Sequence, residues 1–232
     1  MTDKSLHKYA VIVAGGSGSR MGGGMPKQFR SLCDRPVLWW SMKAFHLQDP
    51  DTEIILVLPA DFITLWNEVF SSLPDSDRFP HKTVSGGNSR SESVKRGLSL
   101  VDNDSSLVAI HDGARPLIHP DIISQGWESA EKYGAAIPVV PVVDSLRYVS
   151  GGNQSEAVDR DSYKIVQTPQ VFRTSILKEA YQFAGDKAFS DDATVVENAG
   201  HKIALFSGST ENIKITNPKD LAIACVLMGK DA

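Results

Sequence analysis

The stretch Tyr9-Ala10-Val11-Ile12-Val13-Ala14-Gly15-Gly16-Ser17-Gly18-Ser19-Arg20-Met21-Gly22-Gly23-Gly24-Met25-Pro26-Lys27-Gln28 decides the fold. Its first five residues are an unbroken apolar run, which predicts a buried strand. The glycine-rich part that follows carries two fixed cations, Arg20 and Lys27. Glycine lets a backbone take positive φ and come close to a ligand, so that its N–H groups point at phosphate oxygens. Arg and Lys then place full charges where a polyphosphate sits. A strand ending in such a loop predicts a holder for a nucleoside triphosphate.

Two familiar phosphate loops do not fit. The Walker pattern requires Gly-Lys-Ser/Thr, whereas Lys27 stands between Pro26 and Gln28. A dinucleotide fingerprint begun at Gly16 and Gly18 meets Met21 where its third glycine belongs, and the nearest other register lacks a clear acidic ribose partner. A flexible turn with two solvated cations is the bland alternative. It leaves the placement of Arg20 and of Pro26-Lys27 unexplained.

Outward from this loop, strand-like and helix-like segments alternate. Residues 36–46 predict a helix with Pro36 in its first turn and Val37, Trp40, Ala44 and Leu47 toward the core. Residues 53–58 predict a buried strand, 62–70 a helix and 82–84 a short strand. Asn88 is placed to N-cap a helix over 89–100. A strand at 107–110, a helix at 121–133 and a strand at 135–140 follow. Continuous apolar strands between helices predict an α/β fold, with a mostly parallel central sheet and helices on both faces. Ligands of such folds bind beyond the carboxyl ends of the strands, where the glycine loop and Asp112 both fall.

After Pro141 the pattern changes. Residues 142–149 and 163–167 read as two strands joined by a polar turn at Gly151-Gly152-Asn153, without the helix of a parallel crossover. The expectation is a protruding β-hairpin arm over 142–167, marginal alone and covered by a partner subunit. Helices at 174–183, 191–198 and 218–228, with strands at 202–206 and 212–215, complete a single domain over 1–232.

The net charge of −4 speaks against a nucleic-acid binder with a broad basic face, though not against a small cationic pocket. No stretch approaches a membrane span, and the opening Met-Thr-Asp-Lys-Ser-Leu-His-Lys has no signal-peptide core. A cytoplasmic protein is therefore expected. Cys33 and Cys225 lie far apart along the chain and show no zinc spacing, so two reduced buried thiols are expected. The histidines at 7, 46, 81, 111, 119 and 201 form no ligand cluster.

The chain has neither a Gly-x-Ser-x-Gly elbow nor a nucleophilic cysteine in a known setting. Its resources are the cations Arg20, Lys27, Arg115, Arg160 and Lys214, the carboxylate of Asp112 and the glycine loop. That set fits phosphoryl or nucleotidyl transfer, in which positioning and charge stabilisation do most of the catalysis. A phosphate monoester as attacking group needs no general base. Asp112 at a strand end suits Mg²⁺, which takes few protein carboxylates; an N-cap or a salt bridge to Arg115 is the alternative. Lys214, between Ile213 and Ile215, is a charge within an apolar strand, or simply an edge-strand lysine.

Five blocks in order carry a resemblance: 14–28, Gly86-Gly87-Asn88-Ser89-Arg90 with Ser93, 111–116, Gln167-Thr168-Pro169-Gln170, and Asn212-Ile213-Lys214-Ile215-Thr216. From about residue 8 to residue 228 the chain resembles the 2-C-methyl-D-erythritol 4-phosphate cytidylyltransferase family of the non-mevalonate isoprenoid pathway. The resemblance implies a Rossmann-like nucleotidyltransferase fold, a homodimer joined through the hairpin arm, and Mg²⁺ as cofactor. It implies that CTP and the polyol phosphate give 4-diphosphocytidyl-2-C-methyl-D-erythritol and pyrophosphate. Ala14, Gly15, Gly16 and Ser17 are then expected to contact the triphosphate through their backbone, and Arg20 and Lys27 to stabilise charge at the α-phosphorus. Gly87, Asn88 and Ser93 are expected to hold the cytosine and ribose, Asp112 the Mg²⁺, with Gly113 beside the nucleotide and Arg115 nearby. Arg160 and Lys214 are expected to position the substrate phosphate, Arg160 across the dimer interface, with Ser145 and Thr168 close to that substrate. Ser145 stands where the family commonly has threonine, and Asn88 where aspartate is frequent. The rival readings are a ribitol-5-phosphate cytidylyltransferase, a sugar-1-phosphate nucleotidyltransferase, and a catalytically silent nucleotide-binding protein.

Overall fold

In chain order the elements are β1 (Lys8–Val13), a small ribbon of β2 (Ser31–Leu32) and β3 (Arg35–Pro36), α1 (Val37–Gln48), β4 (Glu53–Leu58), α2 (Ile63–Ser71), β5 (Lys82–Ser85), α3 (Arg90–Leu98), β6 (Leu107–Asp112), α4 (Pro120–Tyr133) and β7 (Ala135–Pro141). The second half adds β8 (Arg147–Gly151), β9 (Gln154–Ala157), β10 (Lys164–Val166), β11 (Gln170–Arg173), α5 (Thr174–Ala184), α6 (Asp192–Asn198), β12 (Ala204–Ser207) and α7 (Pro218–Leu227). The structure, a computed structural model, describes residues 6–15, 25–152, 154–185, 187 and 189–229.

The opening apolar run is the centre of the sheet. β1 pairs in parallel with β4 on one edge and β6 on the other, and β5 extends the sheet beyond β4. The chain thus steps outward from β1 to β4 to β5, then returns through α3 to the far side of β1. That reversal opens a crevice at the carboxyl ends of β1 and β6, the usual ligand position in such sheets. Val13 is in register with Asp112 there, so the phosphate-loop strand and the acidic strand end level with one another.

β11 runs antiparallel between β6 and β7, β10 follows the same antiparallel course along β7, and β12 adds to β7 in parallel. Six strands (β1, β4, β5, β6, β7 and β12) therefore share one direction, and a mostly parallel sheet is what forms. Period-two alternation splits the strand residues between two cores. Ala10 and Ile12 of β1 pack with Leu38, Met42 and Phe45 of α1 and with Ile123 and Trp127 of α4. Tyr9 and Val11 face the opposite layer, with Val94 of α3, Leu177 and Tyr181 of α5, and Val195 of α6. Gly97 lets α3 sit close on this second face, since a Cβ there would lie 2.4 Å from Val11.

Several expected elements differ. The arm is a hairpin of β8 with β9, not of 142–149 with 163–167; Lys164–Val166 has returned to the main sheet. β9 (Gln-Ser-Glu-Ala) is too polar to signal a strand by alternation, and its pairing follows from the positive-φ turn at Gly151 and Gly152. β8 and β9 pair only with each other, and Val143, Tyr148 and Val149 are exposed. Residues 212–215 form no strand, because their backbone groups bond singly to scattered partners rather than along a ladder: Ile215 N–H, for example, donates to the Ala114 carbonyl. β11, which no sequence pattern announces, is only four residues long. Among the described residues no helix is long and apolar enough to cross a membrane.

Candidate active site

Beyond the carboxyl ends of β1 and β6 lies a cleft of about 450 Å³ lined by Val13, Ala14, Gly15, Lys27, Gln28, Gly87–Arg90, Ser93, Asp112, Ala114 and Lys214. The glycine loop leaves the sheet at Ala14 and returns at Lys27. Buried Gln28 clasps the two ends together, its Nε2 donating to the Ala14 carbonyl at 2.8 Å. The Ala14 N–H is itself donated to the Val57 carbonyl at 2.9 Å, so Ala14 lines the cleft with both backbone groups engaged. Gly16, Ser17 and Arg20, like the 22–24 glycines, lie outside the described residues.

Lys27 sits on a short 3-10 turn, Lys27–Phe29, and its Nζ donates to the Ile215 carbonyl at 2.8 Å. Lys214, next to that carbonyl, donates to Asp112 Oδ2 at 2.8 Å. Both cations therefore border the cleft from neighbouring segments.

A further wall of the cleft is built by the turn before α3. Ser89, not Asn88, is the N-cap: its hydroxyl accepts from Glu92 N–H, while the Glu92 carboxylate accepts from Asn88 N–H at 2.8 Å. This reciprocal arrangement resembles a capping box, and it keeps Asn88 just outside the helix. The buried Ser93 hydroxyl accepts from Gly87 N–H at 3.1 Å and donates to the Ser89 carbonyl at 2.9 Å. A Cβ on Gly87 would lie 2.2 Å from Glu92 Cγ, so only glycine fits beside this cap.

Asp112 is the electrostatic centre. Its carboxylate faces Lys214 at 2.8 Å, Arg115 at 3.6 Å and Arg90 at 3.8 Å. Burial acts to raise its pKa, but Lys214, Arg90 and Arg115 outweigh that and hold it at about 2. Arg115 donates to the Asn212 carbonyl at 2.7 Å, and burial pushes its guanidinium below the ordinary arginine value. Gly113, buried, donates its N–H to the Val13 carbonyl at 2.9 Å and so joins the two strand ends beneath the cleft. Thr168 is buried under Asp112, its hydroxyl accepting from the Asp112 N–H at 3.1 Å and meeting His111 Nδ1 at 3.1 Å.

Arg90 is the cleft residue that sequence reasoning does not single out. Its guanidinium donates to the fully buried carboxylate of Asp192 at 2.6 Å while facing Asp112. Burial acts to lower the Arg90 pKa, and the Asp192 charge more than reverses this. Tyr181 donates to the other Asp192 oxygen at 2.5 Å, and Gln170 Oε1 accepts from the Asp192 and Ala193 N–H groups. The signal available in sequence is an arginine directly after the Gly-Gly-Asn-Ser turn.

Ser145 and Arg160 do not reach the cleft within one chain. Both are exposed on the segment that leaves the sheet, and Arg160 donates to the Val143 carbonyl at 2.5 Å. Among the described residues no group of three or more His, Cys, Asp or Glu side chains is placed to hold a metal ion. Asp112 is thus, among the described lining residues, a lone carboxylate surrounded by cations, too weak a base for proton abstraction, while the cations around it give the cleft its positive charge.

The family model for 2-C-methyl-D-erythritol 4-phosphate cytidylyltransferase matches residues 8–230. The 2-C-methyl-D-erythritol 4-phosphate cytidylyltransferase of Phocaeicola vulgatus is 44% identical over 223 residues, covering 96% of this chain and 100% of the relative. That of Porphyromonas gingivalis is 44% identical over 224 residues, covering 95% and 97%. The crystal structure of the Thermus thermophilus enzyme of the same name superposes with a TM-score of 0.75 at 31% identity, over 97% of this chain and 98% of that one.

Proposed function

This chain belongs to the 2-C-methyl-D-erythritol 4-phosphate cytidylyltransferase family, and from that premise we propose how its residues divide the work. The reaction is transfer of a cytidylyl group from CTP to 2-C-methyl-D-erythritol 4-phosphate, yielding 4-diphosphocytidyl-2-C-methyl-D-erythritol and pyrophosphate. A phosphate oxygen of the polyol attacks the α-phosphorus, and the bond from that phosphorus to the bridging oxygen of the β-phosphate breaks. The nucleophile is already an anion near neutral pH, so the cleft needs no general base. Its task is to hold two polyanions in line and stabilise the charge between them.

The observation that carries the assignment of roles is the approach of Lys27 and Lys214 to one side of the cleft, beside Asp112. Lys27 stabilises the α-phosphate as it becomes pentacoordinate, with Arg20 as its counterpart on the loop. Lys214 exchanges Asp112 for the incoming phosphate, with Arg115 holding the Lys214 segment through the Asn212 carbonyl. Gly15, with Gly16 and Ser17, supplies backbone donors to the triphosphate, while Ala14 sets their path. Gly87 and Asn88 receive the cytidine, and Ser93 and Gly113 shape the walls from behind. Thr168 holds the Asp112 backbone in place.

Mg²⁺ fits Asp112 by charge and by ligand count. The carboxylate is ionised, lines the cleft and is the one acidic ligand offered among the described lining residues; Mg²⁺ in nucleotide sites usually takes one or two carboxylates plus phosphate oxygens. When bound, the ion neutralises triphosphate charge and eases departure of pyrophosphate.

Residues 142–163 supply the homodimer contact. An exposed two-stranded ribbon bearing Tyr148 and Val149 is marginal unless covered, which supports a second copy packing on it. Ser145 and Arg160 then serve the partner's cleft. Pyrophosphate release from Mg-CTP tests the substrate assignment, with methylerythritol 4-phosphate expected to react and ribitol 5-phosphate not. Strong turnover with ribitol phosphate alone overturns the polyol; no turnover with any nucleotide points to a silent binder. Hybrids of Arg160→Ala with Lys27→Ala subunits are expected to regain activity in one site, and failure in proven hybrids overturns action across the interface.

A further inference from the structure

The two cysteines stand near opposite ends of the sequence, yet the Cys33 thiol donates to the Cys225 sulfur at 3.2 Å. Cys33 occupies the two-residue turn between β2 and β3, where its φ is +48° and that of Asp34 is +66°. Such left-handed turns favour glycine and asparagine, and a cysteine there holds a strained backbone. Cys225 lies on α7, packed with Cys33 around the small core of Leu32, Val37, Ile215 and Ala224. Both cysteines are partly exposed rather than buried, so a small oxidant can reach them.

A disulfide requires the sulfurs at about 2.0 Å, so the observed pair must close by about 1.2 Å, within the range of small side-chain rotations. The placement gives that bond a consequence. Cys33 follows the turn that carries Lys27, and α7 follows the segment that carries Lys214. Those segments already touch where Lys27 Nζ donates to the Ile215 carbonyl.

We propose that Cys33 and Cys225 are a reversible thiol–disulfide pair, oxidised by hydrogen peroxide, that fastens α7 to the β2–β3 turn behind the Lys27–Lys214 side of the cleft. One thiolate attacks a peroxide oxygen, the O–O bond breaks, and the leaving hydroxide is protonated to water. The resulting sulfenic acid is attacked by the second thiolate; the S–O bond breaks and a second water forms. The two sulfurs together lose two electrons and two protons, which reduce one peroxide to two waters. A small dithiol reverses the bond by exchange. Intracellular disulfides outside hyperthermophiles are mostly of this transient, redox-responsive kind.

The test uses the full chain, reduced and then treated with hydrogen peroxide. Intact mass is expected to fall by two hydrogens, with one linked peptide pair containing Cys33 and Cys225, and dithiothreitol is expected to restore the original mass. Amide exchange across Pro218–Leu227 and at Ile215 is expected to slow by about tenfold or more in the oxidised wild type. Cys225→Ser and Cys33→Ser are expected to show neither change. Both thiols remaining alkylable after peroxide, linkage only between chains, or unchanged exchange in the linked protein each overturns the proposal. The wild-type measurements decide the matter even where a variant fails to fold.

Discussion

The Lys214 ammonium lies 2.8 Å from the Asp112 carboxylate, and the guanidinium groups of Arg115 and Arg90 approach the same carboxylate at 3.6 and 3.8 Å. One anion thus gathers three cations at the mouth of the crevice. The surplus positive charge is what the proposed binding of two phosphates requires. The same ion pairs tie Asp112 to the stability of the fold.

Asp112→Asn is expected to lower cytidylyl transfer by about 10²-fold or more, as removal of a preorganised charge generally does. It also leaves Lys214 and Arg115 without that counter-charge, while Arg90 keeps Asp192, and an unpaired, partly buried polar group costs about 1–3 kcal/mol. Pyrophosphate release and urea denaturation read the two effects separately. A variant with unchanged stability and unchanged turnover shows that the carboxylate is a bystander.

Lys27→Ala is expected to reduce the rate by on the order of 10²–10³, about 3–4 kcal/mol of transition-state stabilisation. Its ammonium donates to a backbone carbonyl, that of Ile215, at the edge of the open cleft, so the rate is read in a variant shown by its melting temperature to be folded. Near-normal kcat in a folded variant removes Lys27 from the assigned role.

Asp192→Asn tests the support behind Arg90. The fully buried carboxylate is bonded by both Arg90 and Tyr181, and losing its charge leaves Arg90 without its nearest anion. Destabilisation of about 3 kcal/mol is expected in urea titration. Arg90→Lys is expected to raise KM for CTP, because an ammonium cannot bridge Asp192 and Asp112 as a guanidinium does. Unchanged KM would falsify that bridging role.

His111 sets an acid limit on stability. Burial, only partly offset by the neighbouring Asp112 charge, lowers its pKa from 6.5 to about 4. Above pH 6.5 the ring is neutral both folded and unfolded, so no difference arises. As pH falls from there toward 4 the unfolded chain takes up a proton that the folded chain refuses, and stability declines by about 2 kcal/mol between pH 7.5 and pH 5. Asp112 adds a second loss only as pH falls below 3.8 toward 2. Denaturation at about pH 7.5 and pH 5 checks this, and His111→Gln is expected to flatten that interval.

The sheet half nearest the glycine loop is legible because its strands are long apolar runs between amphipathic helices, as in Glu53–Leu58 and Leu107–Asp112. Asp112 and Lys214 also stand out, one as a strand-end carboxylate and the other as a charge between two isoleucines. The arm is misplaced by a sequence reading because Gln154–Ala157 carries no apolar alternation, and its pairing depends on the geometry of the turn. Lys214 is expected on a strand that does not form; its segment is held instead by Arg115, Lys27 and buried Asn212. Arg90 escapes a sequence reading because its meaning lies in Asp192, a residue of another helix.

By itself the sequence determined the fold class and the kind of chemistry, because periodicity and glycine content are local and survive in a one-dimensional reading. Only the tertiary structure decided which charges face one another. The Asp112–Lys214 pair, the Arg90–Asp192–Tyr181 network and the Cys33–Cys225 contact each join elements distant along the chain. Such contacts arise where packing of two helical layers on the sheet brings the elements together, and no local pattern encodes that meeting.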